Sequence, residues 1–271
     1  MGDVIACANQ KGGVGKTTTV INLATYLALE GCRVLIVDLD PQGNASSGLG
    51  FDRSTTSGSI YDALVGDADA AGLTRETQIE RLAIIPSGRD LAGAEVELVG
   101  IEQRERRLRD ALEGLRSSFD YVFLDCPPAV GLLTVNALTA ADSVLVPIQC
   151  EYYALEGLSQ LLSTIDLVRD NLNPRLRLEG VLLTMYDART TLSADVAKEV
   201  RRHLGNRVFQ TVVPRSVRLA EAPSYGRPIA RYSPESRGGQ AYQALAREIL
   251  GRTGRAVADN QPAPAIAPVP A

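Results

Sequence analysis

Lys11-Gly12-Gly13-Val14-Gly15-Lys16-Thr17-Thr18 is the stretch from which the rest of this 271-residue chain is read. An apolar run at 4–8 leads into it, and an amphipathic run at 18–30 leads out. Strand, glycine loop, helix is the context in which a backbone cradles phosphate. The glycines let successive N–H groups curl toward one point. The helix that follows adds the positive end of its dipole there. Lys16 supplies a point charge for β- and γ-phosphates, and Thr17 a hydroxyl for Mg2+. In the common form of this loop, G-x-x-x-x-G-K-[ST], the first glycine would fall at position 10. This chain has Gln10 there, with a lysine, Lys11, beside it. Of 28 Lys+Arg, only Lys11, Lys16 and Lys198 are lysines. A sequence that otherwise uses arginine thus keeps two compact ammonium groups in one loop, where a planar guanidinium would not substitute.

Asp38-Leu39-Asp40-Pro41-Gln42-Gly43 closes the apolar run at 33–38. Two carboxylates two residues apart point the same way on an extended strand. At the carboxyl end of a parallel strand they face the phosphate site. Asp38 is therefore a candidate for the Mg2+ shell, and Asp40 a candidate to orient the attacking water. A further apolar run at 121–125 ends in Asp125, followed by Cys126-Pro127-Pro128. An acid in that place, the Walker B position, reaches Mg2+ through water.

Further apolar runs at 82–86, 143–148, 178–185 and 208–213 alternate with helical patterns at 60–65, 102–115, 134–141, 155–168, 192–204 and 240–250. Uniformly apolar strands separated by amphipathic helices predict an α/β architecture. The expected fold is a single-domain P-loop NTPase fold over residues 1–254, a mostly parallel twisted sheet with helices on both faces. Residues 44–59, rich in Ser, Thr and Gly, read as a mobile loop. Residues 255–271, rich in Ala and Pro, read as a disordered tail.

Composition agrees, with 45% hydrophobic and 22% charged residues. The four cysteines, Cys7, Cys32, Cys126 and Cys150, show no C-x-x-C spacing and read as small buried hydrophobes of a reducing compartment. Neither a signal peptide nor a bilayer-length apolar run is apparent, so the expectation is a cytoplasmic protein. The single histidine, His203, ends a basic helix and reads as a surface or capping residue. The net charge of −4 is uneven: residues 1–175 carry −10 and residues 176–255 carry +7. A basic C-terminal third suits a polyanion, although solvated helix faces would explain the count equally well.

With these residues in place, the chain resembles the ParA/Soj chromosome- and plasmid-partitioning ATPases, within the deviant-Walker-A class that also includes MinD. Four segments carry the resemblance: residues 8–18, residues 37–44, Asp125-Cys126-Pro127-Pro128, and residues 218–226, which read RLAEAPSYG. The resemblance implies ATP and Mg2+ as ligands, with Gly12, Gly13, Val14, Gly15, Lys16, Thr17 and Thr18 around the phosphates. It makes Lys11 the signature lysine that reaches a partner's phosphates across a nucleotide-sandwich homodimer, with Gly12 at the interface. Asp40 matches the residue that positions the hydrolytic water, and Asp125 supports Mg2+. Pro214 and Ser216 fall where the family holds the adenine base; many relatives have Asn at the latter position. Arg218 matches a DNA-contact position, and Arg189, Lys198, Arg227 and Arg247 are further candidates for that surface. The implied partners are non-specific double-stranded DNA and a ParB-type centromere-binding protein that stimulates hydrolysis, which implies a nucleoid-associated location.

Three other readings compete. A MinD-like membrane-associated ATPase needs a basic amphipathic C-terminal helix, which Gln261-Pro262-Ala263-Pro264 does not favour. An iron–sulfur carrier or reductase of the same fold needs thiolates at a dimer interface, for which Cys126 and Cys150 are not well placed. A nucleotide-gated DNA-binding scaffold with negligible turnover would have little use for Asp40.

Overall fold

A computed structural model describes residues 2–53, 57–66, 68–151 and 154–253; the expected tail lies outside them. Eight strands form one sheet: β1 (Asp3–Cys7), β2 (Val34–Asp38), β3 (Arg75–Glu76), β4 (Leu82–Ile85), β5 (Tyr121–Asp125), β6 (Ser143–Gln149), β7 (Arg177–Tyr186) and β8 (Val208–Pro214). Their spatial order is β3-β4-β2-β5-β1-β6-β7-β8. Every pairing is parallel except that of β3 with β4.

The strands are apolar along their whole length because both faces are covered. Side-chain alternation divides each one between two cores. Val4 and Ala6 of β1, Leu35 and Val37 of β2, and Val122 and Leu124 of β5 enter one core. Ile5 and Cys7, Val34 and Ile36, and Tyr121 and Phe123 enter the other. The first core is closed by helices Ile60–Leu64, Arg107–Leu112, Leu132–Ala140, Ala154–Asn171 and Thr191–Leu204. The second is closed by α1 (Lys16–Leu29), Ile229–Tyr232 and Arg237–Arg252. This doubly covered sheet is the expected fold, and the glycine loop leaves the carboxyl end of its central strand, β1.

Two local expectations are corrected. Residues 44–59 do not form one mobile loop, since α2 (Asn44–Gly48) occupies its start; residues 54–56 lie outside the described set. Gly43, with φ +64°, turns the chain into α2, and Ser46 ties it to Asp38. Tertiary hydrogen bonds, not propensity, make this helix. The segment 102–115 is not one long helix either. Only Arg107–Leu112 is α-helical, after a 3-10 turn at Arg104–Arg106. Gln103 takes φ +53°, and the Asn136 side chain accepts from the Leu108 N–H and donates to the Arg104 carbonyl. Those contacts replace the helical bonds that a continuous helix would have made there.

Candidate functional site

Gly13 and Gly15 adopt φ of +74° and +89°, a backbone region costly for other residues. Gly15 precedes α1, whose N-terminus has neither a capping side chain nor an acid in its first turn. The N–H groups there are left for an anion. The loop is pinned from two neighbouring strands. Asn9 accepts from the Lys11 N–H at 3.0 Å and donates to the Pro147 carbonyl at 2.7 Å. The Thr184 hydroxyl lies 2.8 Å from the Val14 carbonyl and 2.9 Å from that of Ile148.

A cleft of about 380 Å3 opens over this loop. Gly12, Gly13, Gly15, Lys16, Thr17 and Thr18 line one side. Asp40, Gln42, Asn44, Pro128 and Met185 line it elsewhere, and the 222–228 segment contributes Ala222, Pro223, Arg227 and Pro228. The volume suits a nucleotide-sized ligand.

The two lysines of the loop point to different places. Lys16 is buried, and its Nζ donates to the Lys11 carbonyl at 3.2 Å, over the interior of the loop. Lys11 is exposed, does not line the cleft, and has its Nζ 2.8 Å from Glu151 Oε2.

The carboxylates lie behind and beside the loop. Asp38 is fully buried and already engaged: Oδ2 accepts from the Ser46 N–H at 2.8 Å and its hydroxyl at 2.7 Å, and Oδ1 from the Asp40 N–H at 3.2 Å. Burial pushes its carboxyl up to about 6, against the pull of those hydrogen bonds. Asp125 is also fully buried, yet neither oxygen has a hydrogen-bond partner of normal geometry among the described residues. Burial and the neighbouring Asp38 raise its pKa, while the Thr17 hydroxyl and the Lys16 ammonium favour its charged form. Two orphaned oxygens beside Thr17 and Lys16 are what a divalent cation would satisfy, so the donor set fits Mg2+ through Thr17 and Asp125. Asp38, also expected at the Mg2+ shell, is hydrogen-bonded to Ser46 and the Asp40 backbone across the 38–40 turn. Asp40 is buried at the cleft wall and accepts from the Gln42 N–H at 2.9 Å.

Pro214 ends β8 and Ser216 precedes helix Val217–Glu221; neither lines the cleft. Met185 does, with φ +49°. The expected DNA-contact residues are all exposed. Arg218 Nη1 pairs with Glu221 at 3.0 Å, Arg189 Nη2 with Asp187 at 2.7 Å, and Arg247 Nε with Glu30 at 3.3 Å. Lys198 lies on helix Thr191–Leu204, and Arg227 belongs to the cleft wall.

Sequence reading missed Asn9, Thr184, Asn22 and Met185. Asn22 lines the cleft, and its Oδ1 accepts from the Ile229 N–H at 2.7 Å, anchoring the C-terminal segment on α1. Asn9, Thr184 and Asn22 each reach a partner distant in sequence, so local pattern carries no signal for those contacts. Cys126 and Cys150 are buried, which removes them as ligands presented at a surface.

A family model described as an AAA domain matches residues 2–178. The chain is 56% identical to the sporulation initiation inhibitor protein Soj of Bacillus subtilis (strain 168), covering 92% of this chain and 98% of that one. It is 55% identical to the chromosome partitioning protein ParA of Myxococcus xanthus (strain DK1622), covering 93% and 89%. Among solved structures, cobyrinic acid a,c-diamide synthase from Mycobacterium smegmatis with bound ATP analog and magnesium superposes with TM-score 0.82 at 40% identity, covering 94% and 98%. The septum site-determining protein MinD of Pyrococcus horikoshii OT3, complexed with Mg-ADP, is more distant: TM-score 0.77 at 27% identity, covering 94% and 98%. The loop with its second lysine, the paired strand-end aspartates and this extent of identity together place the chain in the ParA/Soj family of chromosome-partitioning ATPases.

Proposed function

We propose that this protein hydrolyses ATP with Mg2+ as a sandwich homodimer and binds double-stranded DNA without sequence preference in that state. A ParB-type partner would stimulate hydrolysis and thereby release DNA. The observation that carries the reading is the divergence of Lys11 and Lys16. Lys16 stays with its own loop, whereas Lys11 is aimed outward beside the exposed Gly12. A protomer closing on that face would receive the ammonium. The Lys11–Glu151 pair is half-exposed on both sides. Such pairs contribute about 0–1 kcal/mol, so releasing the lysine costs little.

The roles follow from placement. The backbone of residues 12–18 and Lys16 bind the phosphates, and Asp40 orients water at the terminal phosphate. Thr17 and Asp125 would hold Mg2+, which when bound neutralises phosphate charge. Closure of two protomers excludes water and strengthens every charge interaction inside. It also doubles the number of candidate phosphate contacts, Arg218, Arg189, Lys198, Arg227 and Arg247. Several phosphates are then neutralised together, which gives salt-sensitive binding. The bases of the nucleotide would lie toward Pro214 and Ser216, beyond the cleft's phosphate end. The names of the curated relatives, which include chromosome partitioning proteins, support the same reading over a MinD-like one.

The test is retention on a random-sequence duplex, with and without MgATP, at two salt concentrations. ATP-dependent retention that falls steeply with salt is expected. Equal retention without nucleotide would contradict the coupling.

A further inference from the structure

We infer that Arg53 is a positioning residue for hydrolysis, holding the turn that carries Asp40; the inference rests on the role proposed for Asp40. The guanidinium spans two loops. Its Nη1 donates to the Gln42 carbonyl at 2.8 Å, and its Nη2 to the carbonyls of Pro41 at 2.6 Å and Gly88 at 2.9 Å. Pro41 and Gln42 follow Asp40 directly, and Gly88 lies just past the end of β4. A planar fork is suited to three carbonyls at fixed separations in a way that a lysine ammonium is not.

The surrounding residues make room for this arrangement. A Cβ built on Gly43 would lie 2.3 Å from Arg53 Cδ and 2.5 Å from its Nε, so the absent side chain is the slot in which the arginine lies. The Nε itself is buried with no hydrogen-bond partner among the described residues. A buried unpaired donor is unfavourable. The side chain is therefore held where it bridges the loops, rather than where its own hydrogen bonds would be best served.

A second bridge runs parallel to the first. The Ser87 hydroxyl donates to the Asp40 carbonyl at 2.8 Å, and the Ser87 N–H donates to Ser46 Oγ, which in turn donates to Asp38. Ser87 and Gly88 thus grip the backbone of residue 40 and, through Arg53, that of residues 41 and 42. Asp40 Oδ1 is oriented by the Gln42 N–H, whose peptide group includes the Pro41 carbonyl that Arg53 Nη2 holds. Removing the fork frees the two peptide units that aim the carboxylate, while the phosphate loop and α1 keep their own anchors at Asn9 and Thr184. Arg53 touches no reacting group; it acts through Asp40.

The experiment measures steady-state ATP hydrolysis by full-length R53A, R53K, D40A and D40A/R53A, with thermal unfolding midpoints of each. The kcat of R53A falls by about 10–100-fold, the range for a misplaced catalytic group, while KM for ATP stays within about twofold because the cradle is untouched. R53K recovers only part of the loss. D40A/R53A is no slower than D40A, since both changes act on one group. Wild-type kcat in folded R53A, or a further loss in D40A/R53A beyond D40A, overturns the inference. If R53A does not fold, R53K alone decides: wild-type kcat rejects the inference, and lowered kcat at unchanged KM and melting midpoint supports it. D40A with wild-type turnover would instead remove Asp40 from catalysis, and with it the basis for Arg53.

Discussion

Asp38 and Asp125 are register partners on the adjacent parallel strands β2 and β5, both fully buried, and among the described residues only Asp38 has hydrogen-bond partners of normal geometry. One carboxylate is spent on structure, and the other is left open beneath the phosphate loop. Replacing Asp125 by Asn removes a carboxylate whose charged form burial and Asp38 disfavour. D125N should therefore be more stable than the wild type without ligand at pH values where Asp125 is ionised. It should also lose most of the extra stability that MgATP confers on the wild type. Thermal unfolding with and without MgATP checks both signs; a ligand-free D125N less stable than the wild type would contradict the assignment.

The same pair sets a pH dependence. Folding raises the carboxyl of Asp38 to about 6 and raises that of Asp125 as well, both by burial first. The folded state therefore holds protons that the unfolded chain has already released. Stability without ligand falls as pH rises from about 4, the ordinary carboxyl range, to about 6. Mg2+ needs the charged Asp125 carboxylate, so its stabilising effect should move the opposite way and weaken as pH falls. Unfolding free energies across pH 4–8, with and without MgATP, read out the two opposed slopes; parallel slopes would contradict the coupling.

Arg218 is held by Glu221, which also accepts from the Tyr232 hydroxyl at 3.0 Å. A DNA phosphate must compete with that carboxylate for the guanidinium. R218E should abolish detectable non-specific DNA binding and leave ATP-dependent dimerisation intact. R218A should lower the salt slope by about 1 per protomer. Fluorescence anisotropy on a random duplex at several salt concentrations measures both, and unchanged affinity would remove Arg218 from the surface.

Gly226 closes the RLAEAPSYG segment with φ +59°, and a Cβ there would lie 2.8 Å from Gly50 Cα. This close backbone approach mounts the segment that carries Arg218 on the turn after α2, next to the cleft. G226A combines a left-handed backbone with a backbone clash and should cost about 1–3 kcal/mol. Its DNA affinity should fall while Lys16-dependent ATP binding persists. Wild-type stability in G226A would show that the two turns separate freely.

Much of this was legible in the chain because its signals are local. Residues 11–18 need only glycine spacing and flanking periodicity to be read, and the strand-end acids Asp38 and Asp125 need only an apolar run followed by a carboxylate. The division of labour between them was not legible: it depends on Ser46, which is brought to Asp38 by a helix that composition alone read as loop. Arg53 was missed for a similar reason, since its three carbonyl partners come from turns near residues 41 and 88. The break of the 102–115 helix comes from Asn136, whose side chain reaches back about thirty residues to the backbone at Arg104 and Leu108. Pattern within a window cannot register a partner outside it.

The claim on which everything turns is that one loop carries two ammonium groups serving different protomers. Sedimentation velocity of the wild type, K11A and K16Q, each with and without MgATP, tests it most directly. The account predicts an ATP-dependent dimer for the wild type, a monomer that still binds ATP for K11A, and a monomer that does not bind ATP for K16Q. A K11A protein that dimerises with ATP as the wild type does would contradict it.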